Sequence, residues 1–429
     1  MPVSARAGII VTGTEVLSGR VADANGPWVS ERLSELGVDV AHMICVGDRA
    51  DDMTTALRFL AGNGVDLIVT TGGLGPTADD MTAELVAAFA GREMVLDEGM
   101  ERRISEIVAE FARRMNFDPA GLREGTRKQA MVPQGSIALD PAGTAPGLVV
   151  ETEAGPTVVV LPGPPRELQT MWPAAVAAEP FARVLERSDE YAMASMKMFG
   201  IPESTLAKSL REIEEGGVDL APLEITTCLR KGAELEIDVR YTRDAEPLRE
   251  ALFDGLRERH AAVIYTESGE TIDEIVAGLL RGHTIATGES CTGGKLAGRL
   301  TDIPGSSDYV AGGVVAYSNE AKSRLLGVPA DVIEGKGAVS PEVAQALARG
   351  AIERFGADLG VGITGVAGPG GGTEEKPVGF VCFCVASADG RVMARDVQLP
   401  GNRSDVRERS VSVAMHMLRR FLLGVEPPF

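Results

Sequence analysis

Ser290, Cys291 and Thr292 put three nucleophile-capable side chains in a row inside the stretch ATGESCTGG, Ala286 to Gly294. A hydroxyl or thiol of this kind attacks an acyl carbon only when a neighbouring group takes its proton. Gly293 and Gly294 follow and leave backbone N–H groups uncovered at the start of KLAGRLTD, where Leu296, Ala297 and Leu300 fall at helical spacing. An apolar run ahead of the motif, Thr284 to Thr287, reads as a strand. Such a strand-to-helix junction can hold an anion or a developing oxyanion. The same residues also suit an ordinary glycine-rich turn.

The base must come from elsewhere. The four histidines, His42, His260, His283 and His416, all lie outside the motifs, so a Ser-His-Asp arrangement has little support. Lysine is the alternative, provided that desolvation or a like charge lowers its pKa. AYSNEAK, with Tyr317, Asn319 and Lys322, follows a second apolar strand and carries Lys322 into a helix-forming stretch. GITGVAGPGGGTEEKPVG, Gly362 to Gly379, follows a third strand, with Thr364 and Gly365 at its end. Its loop Gly368 to Thr373 could close over a ligand. Arg403 opens the last helix in GNRSD, where a guanidinium and a helix N-terminus together suit a phosphate.

These stretches, in this order over about Thr271 to Leu423, closely resemble the C-terminal domain of the CinA family, the nicotinamide mononucleotide deamidases. The resemblance implies that Ser290 is the nucleophile, Lys322 its base and Tyr317 a proton relay, with Thr364 supporting the same network. Cys291 is the rival nucleophile, and the family match favours Ser290. Cys291, Thr292, Gly293, Gly294, Asn319, Gly365 and Arg403 are the expected substrate-binding residues.

The elements that must carry a site are also legible at the other end. A buried strand at 7–12, a helix at 26–36, a strand at 38–46, a helix at 51–62 and a strand at 65–71 form a βαβαβ pattern, hence a parallel sheet. Ligands of such sheets bind beyond the carboxyl ends of the strands. GTEVLSG, VGDRADD and TGGLGPTADDMT stand at those ends, and RKQAMVP, GTAPG and LPGPPREL add further loops. The pattern resembles the molybdopterin-binding-like N-terminal domain of the same family, over about residues 5–170. In active members this implies cation-dependent hydrolysis of ADP-ribose. The family's NTN-like stretch reads VADAN here, Val21 to Asn25, with one polar position lost to Ala24.

The expected nucleotide site is Thr12, Gly13, Glu15, Asn25, Asp48, Gly72, Gly73, Gly75, Thr77, Lys128 and Gly163. Asp79 and Asp80 are the expected ligands of a divalent metal cation such as Mg2+. The competing role for this pair is capping the helix they are expected to start. The deamidase chemistry requires no cofactor.

Between the two lies a small α+β unit similar to the KH-like middle domain of the family. KH modules bind RNA through a GxxG loop. Residues 190–259 instead carry 15 acidic and 10 basic residues, and GIPES, Gly200 to Ser204, is not such a loop. The expected divisions are 1–170, 171–262 and 263–429, an α/β, α+β and α/β series. The net charge of −20 argues against nucleic acid as a partner. Five scattered cysteines show no zinc-ligand spacing, and no signal core or apolar run of membrane length is present, so a reduced, cytoplasmic protein without a membrane role is expected. The expected partners are small nucleotides, nicotinamide mononucleotide and ADP-ribose, and a second copy of the chain in a homodimer. The expected reaction converts nicotinamide mononucleotide to nicotinic acid mononucleotide and ammonia. The alternatives are a deamidase whose N-terminal domain only binds nucleotides, and a non-enzymatic competence-related protein.

Overall fold

The computed structural model describes residues 5–115, 123–188, 191–230 and 232–426. The chain divides into two compact units, Met1–Tyr191 and Ala192–Phe429.

The first unit is built on a sheet with four parallel strands, of which the alternation of buried runs and amphipathic helices predicts the first three. They are β1 (Arg6–Thr12), β2 (Asp39–Val46), β3 (Leu67–Thr71) and, beyond β4 (Met94–Leu96), β5 (Met131–Pro133), β6 (Ile137–Leu139) and β7 (Gly147–Val150), the strand β8 (Thr157–Leu161). The sheet order is β2-β1-β3-β8-β7-β6, with β7 and β6 antiparallel. Ile9 and Val11 face one hydrophobic cluster and Ile10 the other, so the sheet is covered on both faces, as parallel strands require. The helices Pro165–Ala177 and Glu179–Leu185 belong to this unit. Trp172 packs edge-on against Trp28 and Phe181, which carries the boundary past the expected residue 170.

Asp79 and Asp80 do not start a helix. The helix begins at Thr82, behind the residue Met81, which makes no side-chain cap bond. The Asp80 carboxylate instead turns back on the loop and accepts from the backbone N–H and hydroxyl of Thr77, while Thr82 Oγ1 donates to Gly72 O at 3.0 Å. A local carboxylate-to-amide turn thus competes successfully with the cap.

The second unit holds two sheets. β9 (Tyr191–Phe199), β10 (Glu224–Leu229), β11 (Glu234–Thr242) and β12 (Ile264–Thr266) form the order β10-β11-β9-β12. β13 (Ile285–Glu289), β14 (Val310–Val315), β15 (Leu359–Gly365), β16 (Phe380–Ser387) and β17 (Val392–Gln398) form the order β14-β13-β15-β16-β17. β13 lies parallel to both β14 and β15, with Glu289 in register with Val315 on one side and Ile363 on the other. That register brings the residues after three strands to one edge. The helix Pro341–Phe355 lies close on this sheet: a Cβ at Gly362 would sit 1.9 Å from Ala344 O, so no larger residue fits there.

The two sheets share side chains. Phe199 of β9 stacks on His416 of the helix Arg403–Leu423 with centroids 3.9 Å apart, and both Phe199 and Tyr265 belong to the core of the second sheet. The sequence expectation separates these parts at residue 262; the contacts join them. Phe199→Ala should therefore destabilise the part built on the second sheet, by about 3–5 kcal/mol for loss of a buried aromatic. Denaturant unfolding followed by a probe in the helix Arg403–Leu423 checks this, and an unchanged midpoint would mean that the stack contributes nothing.

Candidate active site

At the carboxyl edge of β13, β14 and β15 the chain brings a hydroxyl and a buried amine together. Ser290 directly follows β13, and its N–H bonds Ile363 O at 2.9 Å. Ser318 caps the helix Asn319–Leu326 by accepting from Ala321 N, which sets the helix to start just beyond β14. One turn in, Lys322 points inward and is only 2% exposed. Its Nζ lies 3.1 Å from Ser290 Oγ, 3.1 Å from Ala316 O and 3.4 Å from Tyr317 O.

Nζ donates to the two carbonyls and to Ser290 Oγ; when the amine is neutral, two N–H groups suffice for the carbonyls and the lone pair can take the Ser290 proton instead. Burial pushes the Lys322 pKa down, because the ammonium form loses its water. Cys291 is also buried, and burial pushes its thiol up to about 11, so it stays protonated at neutral pH. The geometry therefore favours Ser290 over Cys291 as the group that can be activated.

The turn after Ser290 differs from expectation in its use of N–H groups. Gly294, at φ +89°, opens the helix Lys295–Thr301 in a conformation that glycine adopts without strain. Glu289 is fully buried, and its two carboxylate oxygens accept from Gly294 N, Leu296 N and Ala297 N at 2.8–3.1 Å. Gly293 N donates to Ser290 O at 3.1 Å. The two glycine amides expected to face an oxyanion are thus already satisfied. Among the described residues, the N–H groups of Cys291 and Thr292 have no oxygen acceptor, and the buried Thr292 Oγ1 has no partner.

Other expected members lie at the rim. The Tyr317 side chain is 58% exposed, and its hydroxyl accepts from Arg403 Nη2 at 2.6 Å rather than joining Ser290 and Lys322. Arg403 Nη1 donates to Gly368 O at 2.8 Å, so the arginine ties the Gly368 loop to Tyr317. Thr364 Oγ1 donates to Ala338 O at 2.7 Å; it fixes a neighbouring loop and makes no bond to the Ser290–Lys322 pair. Asn319 is exposed at the first turn of its helix, and Gly365 ends β15. Sequence reasoning missed Glu289 and Arg407, whose guanidinium donates to Cys291 O and Thr292 O. The adjacent acid in GESCTGG was the available signal for Glu289.

The first unit carries a second cleft, of about 360 Å3, at the carboxyl ends of its parallel strands. Thr12, Gly13, Glu15, Asp48, Gly72, Gly73, Gly75, Asp79, Asp80 and Gly163 all line it. Asn25, Thr77 and Lys128 do not. Asn25 supports it from behind through Thr71 Oγ1 and Gly163 O, Thr77 holds Asp80, and Lys128 reaches the Thr77 carbonyl. Asp48 is drawn into the β1 loop by Thr12 Oγ1, Thr14 N and Thr14 Oγ1. Glu167, not foreseen, also lines the cleft, with its carboxyl raised by burial.

Among the described residues no three Asp, Glu, His or Cys groups converge as a ready metal cage. The donors are hard carboxylate oxygens, and the cleft lining carries five carboxylates and no lysine or arginine. That set fits Mg2+ held by one or two carboxylates and completed by phosphate oxygens and water. Among the described residues no helix is long and apolar enough to cross a membrane.

Comparisons with known proteins agree along the chain. Residues 269–422 match the family described as CinA C-terminal domain, and residues 8–182 match the probable molybdopterin binding domain. A CinA-like protein of Mycobacterium sp. strain MCS is 59% identical over 98% of this chain and 99% of its own length. One from Mycobacterium tuberculosis strain H37Ra is 56% identical over 99% of each. Among solved structures, the competence/damage inducible protein CihA from Agrobacterium tumefaciens is 40% identical, covers 34% of this chain and 93% of its own, and has a TM-score of 0.33.

Two outcomes follow from the geometry alone. Native protein treated with iodoacetamide at neutral pH should be alkylated at exposed Cys45 and Cys228 and spared at Cys291; rapid modification of Cys291 would contradict its burial and raised pKa. Lys322 has a folded-state pKa below its unfolded value, so its contribution to stability is present only above the unfolded pKa and is lost as pH falls through the folded one. At neutral pH its burial is a cost. Lys322→Met should raise Tm by a few degrees, about 1 kcal/mol, in calorimetry at pH 7; a fall in Tm would mean that the bonds of the amine outweigh its desolvation.

Proposed function

We propose, on the premise that the chain belongs to the CinA family, that its C-terminal domain hydrolyses the carboxamide of nicotinamide mononucleotide. The observation that carries this reading is the 3.1 Å approach of a buried lysine Nζ to Ser290 Oγ. A neutral Lys322 takes the Ser290 proton as Oγ attacks the carboxamide carbon. The tetrahedral oxyanion is held by backbone N–H groups of Cys291 and Thr292. Collapse breaks the C–N bond, and the Lys322 ammonium returns its proton to the departing ammonia. A water molecule, deprotonated by Lys322, then attacks the Ser290 ester; the C–Oγ bond breaks, the Lys322 ammonium returns the proton to Ser290 Oγ, and nicotinic acid mononucleotide is released. Arg403, held at the rim by Tyr317 and Gly368, binds the substrate phosphate. Tyr317 positions that arginine instead of relaying protons.

For the N-terminal domain we propose hydrolysis of a pyrophosphate such as ADP-ribose with a divalent cation. The support is charge: the charged residues that line the cleft are all carboxylates, and they repel an anionic pyrophosphate until a cation compensates. Asp79 and Asp80 would hold that cation. Bound there, it would withdraw charge from the leaving phosphate and lower the pKa of attacking water. Glycines Gly72, Gly73 and Gly75 let the phosphates approach the backbone. One observation favours the second reading, a domain that binds nucleotides without cleaving them: no third carboxylate converges with this pair among the described residues.

The test is to incubate the purified protein separately with nicotinamide mononucleotide and ADP-ribose, with and without Mg2+. Ammonia release should persist in chelator and vanish in Ser290→Ala, while Lys322→Arg should lose about 10^3-fold or more because a guanidinium cannot act as base. Cys291→Ala should remain active, and the wild-type rate should rise with pH along a limb set by the lowered Lys322 pKa. ADP-ribose cleavage should stop in chelator and fall sharply in Asp80→Asn with deamidation unchanged. Normal ADP-ribose cleavage by Asp80→Asn would move the metal site to Glu15, Asp48 or Asp51, and no cleavage by the wild type would favour the binding-only reading.

A further inference from the structure

The peptide planes that follow Ser290 are fixed one by one. Ser290 O accepts from Gly293 N at 3.1 Å. Cys291 O accepts from Arg407 Nε at 3.0 Å, and Thr292 O accepts from Arg407 Nη2 at 2.9 Å. In a trans peptide the C=O and the following N–H point in opposite directions. Anchoring Ser290 O therefore aims the Cys291 N–H away from Gly293, and anchoring Cys291 O aims the Thr292 N–H away from Arg407. These are the same two amides that have no oxygen acceptor among the described residues. The neighbouring amides of Gly293 and Gly294 are already used, by Ser290 O and Glu289.

Arg407 lies on the helix Arg403–Leu423, one turn beyond Arg403, and reaches the turn across 116 residues of sequence. Its planar guanidinium donates in parallel to two carbonyls of consecutive residues, a geometry that a lysine point charge does not reproduce. The opposite side of the turn is held by buried Glu289, so the segment carrying Ser290 is gripped from both sides by charged groups that take no part in proton transfer.

We infer that Arg407 is a positioning residue for the hydrolysis at Ser290: through Cys291 O it sets the plane that carries the Thr292 N–H, and through Thr292 O it sets the plane of the Gly293 N–H that in turn anchors Ser290 O and aims the Cys291 N–H, so that the Cys291 and Thr292 N–H groups meet the tetrahedral oxyanion. A flipped or loosened plane would leave Ser290 and Lys322 in place but lose the stabilisation of the negative charge that forms. This rests on the reading of Ser290 as an acyl-transfer nucleophile, but not on which amide is the substrate.

The full-length protein supplies the test, as wild type, Arg407→Ala, Arg407→Lys and Ser290→Ala. Two readouts are taken: steady-state ammonia release from nicotinamide mononucleotide, and the rate at which a fluorophosphonate probe labels Ser290. In Arg407→Ala, kcat should fall by about 10^2-fold, as for loss of an oxyanion donor, with KM nearly unchanged. Labelling should slow in parallel. Guanidinium at non-denaturing millimolar concentration should restore at least about tenfold in Arg407→Ala and nothing in wild type or Ser290→Ala. Arg407→Lys should remain folded and be only partly active, without rescue. A rise in KM at unchanged kcat would overturn the inference and make Arg407 a substrate-binding group. Unchanged labelling in both Arg407 variants would also overturn it. If the wild type releases no ammonia while labelling still depends on Arg407 and is rescued by guanidinium, the substrate reading fails and the role of Arg407 stands.

Discussion

A lysine amine taken out of water disfavours its own charge, and the only way to keep it buried without a counter-ion is to leave it neutral and hydrogen-bonded. Lys322 meets that condition through two carbonyls and one hydroxyl. The surrounding structure exists to hold those partners. The parallel register of β13 with β14 and β15 brings Ser290 and Ala316 to one edge. The Ser318 cap then turns the chain so that Lys322 enters the same space. A single-residue slip of β14 against β13 would carry Ala316 O away from the amine and leave it unsatisfied.

The Ser290–Lys322 pair and its support have different origins in the sequence. Ser290, Lys322 and Arg403 were legible because each sits at a strand end or a helix start, where local pattern alone predicts position. The strands β1, β2 and β3 and the helix Arg403–Leu423 were legible for the same reason: buried runs and 3.6-residue periodicity are local signals. Glu289 and Arg407 were not legible. Their partners are backbone groups, which every sequence contains, and Arg407 finds its carbonyls more than a hundred residues away. Of the amides from Cys291 to Gly294 expected to face an oxyanion, those of Gly293 and Gly294 are taken by Ser290 O and by Glu289, one residue before Ser290.

The same distinction accounts for the remaining differences. Asp79 and Asp80 suit a helix start by type, yet Thr77 lies three residues back and offers both an N–H and a hydroxyl to Asp80. The domain boundary at 170 follows a change in local pattern, whereas the packing of Trp172 on Trp28 is tertiary. The stack of Phe199 on His416 likewise joins parts that composition separates. The acidic cleft and the Ser290–Lys322 pair lie in separate units and use separate strand ends.

The chemistry of Ser290 turns on the protonation state of Lys322. Lysine-selective 13Cε labelling and an NMR pH titration read it directly, with Lys322→Met to assign the resonance. A neutral base beside Ser290 predicts one lysine resonance with a midpoint clearly below 10.5, absent from Lys322→Met. A Lys322 resonance that titrates with the exposed lysines, charged throughout the neutral range, would contradict the account.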